Sequence, residues 1–196
     1  MGLRVPAVPR TLHFVWVGSQ SMPAQQAAAL RGWLIAHPDF EARLWTGTDI
    51  LKENFPSLGK QIDLASRPEQ IADLMRYEIV MRHGGFYVDL DFEVCRPIGA
   101  FARLSGSVVC HEDGDEGLWQ SLSNGFFGFS RGHPSIRRAV SLAAKAVIGH
   151  DSPNWSTGPR LLRRALGDDG LDAASVLPRK SMYPVRFKDG EKLKKL

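Results

Sequence analysis

The chain has 196 residues, of which 43% are hydrophobic, 23% charged and 9% aromatic, a composition that suits one ordinary globular domain and excludes bulk disorder or a collagen-like repeat. Its 25 Lys and Arg against 21 Asp and Glu leave a formal charge of +4, much of the excess lying between Lys188 and Lys195. That balance is too modest, and too poor in interleaved aromatics, for a nucleic-acid-binding surface.

A chain of this length buries close to ~70% of the surface its unfolded form exposes, enough for a core and a cleft without disulfides. Cys95 and Cys110 form no CxxC pair and read as reduced thiols. No stretch approaches the ~20 apolar residues of a membrane span, and Met1 to Pro6 lacks a signal-peptide core, so a cytoplasmic chain is expected. The basic end reads first as a frayed, solvated tail and second as a peripheral contact with the inner face of a membrane.

Thr11 to Gly18, rich in aromatic and β-branched residues, predicts a buried first strand. A helix follows over Met22 to His37, with Leu30, Trp33 and Leu34 at helical spacing, and His37-Pro38-Asp39 ends it. Phe40 to Trp45 reads as a second strand, parallel to the first, with Phe40, Ala42 and Leu44 on one side. Ser66-Arg67-Pro68-Glu69 has the spacing of a capping box, and Gly84-Gly85 closes the helix it opens. Phe86 to Val94 then alternates, placing Phe86, Val88, Leu90, Phe92 and Val94 on one face and Tyr87, Asp89, Asp91 and Glu93 on the other. Ser107 to Cys110 and Asn124 to Phe129 are further strands, separated by an acidic loop from Glu112 to Glu116. Helices are expected over Pro134 to Ile148 and from Pro159 through Leu166. Strands alternating with helices predict an α/β fold whose partly parallel sheet is covered on both faces.

The sharpest chemical feature is Asp89-Leu90-Asp91, with two carboxylates on same-face positions ~7 Å apart along an otherwise apolar strand. Two uncompensated carboxylates on a central strand are expensive, so a cation is expected there. Mg²⁺ or Mn²⁺ suits, since such ions are held by one or two carboxylates and substrate phosphates. The competing reading is an edge strand whose polar face meets water. Asp73 and Arg76 share one side of the preceding helix and either converge on the same ligand or form an ordinary surface pair. Trp16, at the end of the first strand, either packs in the core or stacks on a base where α/β ligands collect. His13, His37, His83, His111, His133 and His150 form no spaced metal pair, and no GxGxxG, GxxxxGK[ST] or GxSxG occurs.

Three ordered blocks, Pro9 to Gly18, Ala72-Asp73-Leu74-Met75-Arg76-Tyr77 and Gly84 to Asp91, resemble the glycosyltransferases with a DXD sugar-binding region. That group includes initiating mannosyltransferases and capsular-polysaccharide and lipid-sugar transferases. The likeness continues more loosely through Asn124-Gly125-Phe126-Phe127, His133-Pro134 and Thr157-Gly158-Pro159. It implies a glycosyltransferase A-type fold, Rossmann-like, with a mixed, mostly parallel sheet flanked by helices. It also implies a UDP- or GDP-sugar donor, a divalent Mn²⁺ or Mg²⁺, retention of anomeric configuration, and a glycan, polysaccharide or lipid-linked hydroxyl as acceptor.

Carried over by residue, Trp16 stacks on the nucleobase, Asp73 and Arg76 hold the donor sugar, and Tyr87 lines the donor site. Asp89 contacts ribose and sugar and shares the metal with Asp91, which binds the ion bridging the diphosphate. Asn124 is a further donor- or acceptor-side contact. Asp89, Asp91 and Arg76 are thus the expected catalytic residues. Residues 1–196 are expected to form a single catalytic domain lacking the family's His- and Trp-containing closing segment, because no His or Trp follows Tyr183-Pro184. That shortness keeps a second function in view, a nucleotide-sugar-binding protein with little turnover. A phosphatase using the same acids is disfavoured, since Glu93 stands where that chemistry needs Thr or Val.

Overall fold

The computed structural model describes residues 6–18, 20–50, 55–104, 106–112, 122–146, 148 and 153–183. The acidic stretch 113–116, His150 and the basic end from residue 184 lie outside the described residues.

Twelve elements follow the chain: β1 (Thr11–Trp16), α1 (Ala24–Ala36), β2 (Glu41–Thr46), α2 (Gly59–Leu64), α3 (Pro68–His83), β3 (Gly85–Val88), β4 (Ser107–His111), β5 (Leu122–Phe129), α4 (Pro134–Ala143), α5 (Pro153–Ser156), α6 (Pro159–Ala173) and β6 (Ser175–Leu177). The strands form one six-stranded sheet in the order β2-β1-β3-β5-β4-β6. β1 runs parallel to β2 and β3, and β4 runs parallel to β6. β5 is antiparallel to both β3 and β4, so the expected mixed, mostly parallel sheet is present.

Both faces are covered. On one, α2, α3, α4 and α6 bury Leu58, Ile62, Leu74, Ile79, Ile136 and Leu162 against Tyr87, Phe127 and Phe129. On the other, Trp33 of α1 joins Phe14, Phe40, Phe86, Val88 and Phe126. Covering explains why β3 and β5 are buried at every position, with the apolar run Phe126 to Phe129 in β5 and the polar Ser123 and Asn124 confined to its first half. Each buried aromatic or aliphatic side chain of this kind stabilises by roughly 1.5–3 kcal/mol relative to exposure.

Several local expectations change. β2 is an edge strand: Leu44 is exposed, while Trp45 on the opposite side packs toward the core. Leu34 of α1 is likewise exposed. The capping box at Ser66 does not form, because Arg67 takes the cap position without a side-chain cap and pairs with Glu69 at 2.6 Å. A capping box does form at Thr46 and Asp49, where a single 3₁₀ turn follows β2. α4 ends at Ala143 and α6 extends to Ala173 through a break at Gly167.

Gly84 and Gly85 carry φ of +68° and +102°, and a Cβ on Gly85 would lie 2.7 Å from the Thr11 carbonyl oxygen. The pair turns α3 sharply into β3, so the face of α3 and the end of β3 are set by two residues that few others can replace. His13 locks the same corner. It accepts from the Trp45 indole at 3.2 Å and donates to the Gly84 carbonyl at 2.8 Å, and burial lowers its pKa to about 4, which keeps it neutral. His37 bonds the Trp33 carbonyl and the Ile98 amide, a structural role too. Cys95 is exposed and Cys110 buried, both as free thiols; burial pushes Cys110 up to about 12.

Candidate active site

The predicted strand through Asp89 and Asp91 stops at Val88. The Asp89 amide still donates to the Gly125 carbonyl at 2.8 Å, and then the Phe92 amide donates back to the Asp89 carbonyl at 3.1 Å, closing a turn. The two acids therefore flank a turn instead of sharing a flat strand face. The apolar alternation survives the turn: Leu90 is buried with Phe86 and Val88, and Phe92 and Val94 pack partly against the same cluster.

Asp73 and Arg76 are both buried, at 7% and 5% exposure, which removes the surface-pair reading. Arg76 Nη2 lies 3.3 Å from Asp73 Oδ1 and 3.2 Å from Asp89 Oδ1. Its Nη1 donates to the Asn124 carbonyl at 2.6 Å, and Nε donates to the Ala72 carbonyl at 3.2 Å. The guanidinium lies over the Tyr87 ring, 4.3 Å from its centroid, and the Tyr87 hydroxyl donates to Asp89 Oδ1 at 2.6 Å. Asn124 Nδ2 donates to Asp73 Oδ1 at 2.7 Å, and Thr157 Oγ1 donates to Asp73 Oδ2 at 2.9 Å. Five of the expected residues, Asp73, Arg76, Tyr87, Asp89 and Asn124, thus form one connected cluster at the carboxyl end of β3, and Asp91 follows at the exposed end of the turn.

Two features outrun the sequence reading. Thr157 joins the cluster, and Tyr77 fixes its segment by donating to the Gly158 carbonyl at 3.1 Å. The loose likeness at Thr157-Gly158-Pro159 was the available signal. Tyr183 also reaches in, its hydroxyl bonded to Ser123 Oγ, whose oxygen accepts from the Gly125 amide at 3.0 Å. Trp16 stands at the carboxyl end of β1, the strand next to β3, half-buried against the apolar cluster, with Nε1 donating to the Gln20 carbonyl at 3.1 Å. Tyr87 is fully buried and backs Arg76 from below.

Burial raises the Asp73 carboxyl to about 6, against the pull of Arg76 and the hydrogen bonds from Thr157 and Asn124. An acid raised in the folded state holds its proton more tightly than in the unfolded chain. Its contribution to stability is therefore full below about pH 4 and is lost as pH rises through about 6. Relative to an Asp73→Asn chain, wild-type stability should fall by up to about 3 kcal/mol between pH 4 and 7. Urea unfolding of both chains at several pH values tests this, and wild-type stability that rises with pH relative to the Asn variant would contradict it.

Gly125 is a close-approach position. A Cβ there would sit 2.7 Å from Asp89 Oδ2 and 3.2 Å from the Tyr183 hydroxyl. Gly125→Ala should cost about 1–3 kcal/mol and displace the Asp89 carboxylate. The sugar transfer that the sequence resemblance implies is expected to fall at least ~10-fold, about 1.4 kcal/mol of barrier; unchanged transfer with a normal melting curve would show that the Asp89 position is not critical.

Asp91 is raised above the usual carboxylate range by desolvation and then by the neighbouring Asp89 charge. Hard oxygen donors that repel each other suit a divalent cation. Among the described residues no three His, Cys, Asp or Glu gather into a closed metal cage, so an ion here would draw its other ligands from substrate and water.

Residues 23–111 match the family described as "Glycosyltransferase sugar-binding region containing DXD motif". The match runs from α1 to the end of β4 and contains Asp73, Arg76, Tyr87, Asp89 and Asp91. Residues 23–111 are thus similar to that sugar-binding region, and the sheet and its flanking helices have a glycosyltransferase A-type fold. It is 27% identical over 163 residues to "Inositol phosphoceramide mannosyltransferase 3" of Schizosaccharomyces pombe, covering 80% of this chain and 44% of that protein. It is 27% identical over 186 residues to "Uncharacterized glycosyltransferase L373" of Acanthamoeba polyphaga mimivirus, covering 90% and 73%. The solved structure "PaToxG Glycosyltransferase" aligns with a TM-score of 0.63 at 16% identity, covering 83% of this chain and 70% of that one. The chain spans less than half the length of the mannosyltransferase it matches. Among the described residues no helix is long and apolar enough to cross a membrane.

Proposed function

We propose that this chain is a metal-dependent, retaining glycosyltransferase, with residues 1–196 forming its catalytic domain. It moves a sugar from a UDP- or GDP-sugar to a hydroxyl acceptor. The observation that carries this reading is the buried Asp73–Arg76–Asp89 cluster, tied to Asn124 and Thr157 and placed directly beside Asp91. A guanidinium shared by two carboxylates is fixed in one orientation, as a site that must hold sugar hydroxyls in register requires.

In this reading Asp73 and Arg76 orient the donor sugar, Tyr87 holds Arg76 and Asp89 in place, and Asn124 braces Asp73. Trp16 offers its indole to the base. Asp91 and Asp89 hold Mn²⁺ or Mg²⁺, which when bound offsets the negative charge that develops on the leaving diphosphate. Retention follows if the acceptor hydroxyl attacks from the leaving-group side and gives its proton to the departing phosphate, which needs no protein nucleophile. The acceptor is a glycan, polysaccharide or lipid-linked hydroxyl. The name of the fission-yeast relative favours the lipid-linked kind and a peripheral place at a membrane face.

A thermal-shift panel of UDP- and GDP-sugars with and without Mn²⁺, followed by a turnover assay, tests the proposal. A donor at ~100 times its Kd adds about 2.7 kcal/mol, or roughly 5–10 °C for a chain of this size. One donor class should give that shift only with metal and should release free sugar and nucleoside diphosphate slowly without acceptor. Tight binding without turnover, even with candidate acceptors, would point to a nucleotide-sugar-binding protein instead.

A further inference from the structure

At the opposite end of the sheet, where β1 and β2 begin and α3 ends, lies a cavity of about 390 Å³. Its walls carry Arg43 of β2, Arg82 and His83 of the last turn of α3, Arg131 beyond β5 and Arg137 of α4, with Glu41 the single acid. Four separate pieces of chain thus bring arginines to one hollow. Like charges so placed repel; Glu41 answers Arg43 at 2.7 Å, and Glu78, one turn earlier on α3, acts on Arg82. The carboxyl end of α3 contributes roughly half a negative charge. The lining itself still carries four arginines against a single acid.

The individual side chains keep donors in reserve. Arg43 commits Nε to Glu41, and Arg137 commits Nε to the Gly132 carbonyl at 2.8 Å, which leaves each its Nη groups. Arg131 makes no side-chain hydrogen bond or ion pair among the described residues. His83 reports the crowding: desolvation first, then Arg43, Arg82 and Arg131, lower its pKa, so it stands neutral at pH 7 and can donate or accept. The donor-side acids are at the other end of β3, so this hollow cannot hold the same ligand as Asp89 and Asp91.

We propose that the hollow is a second, anion-binding site that takes a phosphate group, gripped between Arg43 and Arg131 with Arg82, His83 and Arg137 around it. Guanidinium forks match phosphate oxygens bidentately, and the volume admits a phosphate with one attached ring. The phosphate belongs either to a small soluble molecule or to the headgroup of a membrane lipid.

The test compares wild type with an Arg43→Gln/Arg131→Gln double variant in EDTA. Both positions lie away from the sugar-transfer cluster, so basal transfer, measured separately with metal, should be unchanged, as should folding in phosphate-free buffer. Calorimetric titration with inorganic phosphate, and sedimentation with phosphatidylcholine vesicles with or without phosphatidylinositol 4-phosphate, distinguish the two sources. Saturable phosphate binding weakened at least ~10-fold in the variant supports the soluble source. Vesicle binding that needs the phosphorylated lipid and is lost in the variant supports the headgroup. Binding in neither assay, or binding that the double variant retains, overturns the site.

Discussion

Asp91→Asn should abolish sugar transfer while leaving the melting curve measured without metal unchanged. Asp91 sits at the solvent-facing end of the turn after β3, outside the Arg76 cluster, so its replacement removes no buried partner. Substitutions of that kind usually move stability by no more than ~0.5 kcal/mol. The same change removes a charged oxygen donor from the proposed ion. Lewis-acid stabilisation of a leaving phosphate is worth several kcal/mol, and at ~1.4 kcal/mol per decade transfer should fall about 10²–10⁴-fold. Added Mn²⁺ should also stop raising the melting temperature in the presence of donor. Full activity in the variant would sink the metal assignment.

Arg76→Leu should be damaging in a different way, losing fold and function together. It leaves Asp73 and Asp89 facing each other without the guanidinium between them, with the Asn124 carbonyl deprived of its donor. Breaking a buried charge network from one side costs about 3–5 kcal/mol, which corresponds to a fall of roughly 6–20 °C in melting temperature. Arg76→Lys tests the geometry separately. An ammonium restores the charge but cannot serve Asp73, Asp89, Asn124 and Ala72 from one planar fork. Most of the stability should return while transfer stays at least ~10-fold low. A leucine variant that melts like wild type would show that the cluster is not held together by this charge.

The α/β class, the parallel start and the pairing of Asp73 with Arg76 were legible because each rests on a local pattern. Helical spacing put the pair on one side of α3, and the glycines after it marked the corner. What spacing could not reveal was depth. The same i, i+3 pair suits a wet surface or a closed core, and only the arrival of Tyr87, Asp89, Asn124 and Thr157 from distant parts of the chain decides between them. The Asp89-Leu90-Asp91 run shows the complementary limit. Alternation there correctly assigned Leu90 and Phe92 to the apolar side, yet a turn preserves alternation as well as a strand does. β2 shows a third limit: alternation names no inward side, and at a sheet edge apolar Leu44 need not be inside. Thr157 lay beyond reach because its partner, Asp73, is 84 residues away.

The reversal of strand direction between β3 and β5 has a consequence for how such a chain can diversify. Because β5 runs against β3, its first residues, not its last, meet the acids, and His111 of β4 is paired with Leu122 of β5 at that same end. The connection between β4 and β5 therefore leaves and rejoins the sheet at His111 and Leu122, beside the Asp73–Arg76–Asp89 cluster. Its length and sequence can drift while the register of β4, β5 and β3 stays fixed. Variation there leaves Asp73, Arg76 and Asp89 untouched.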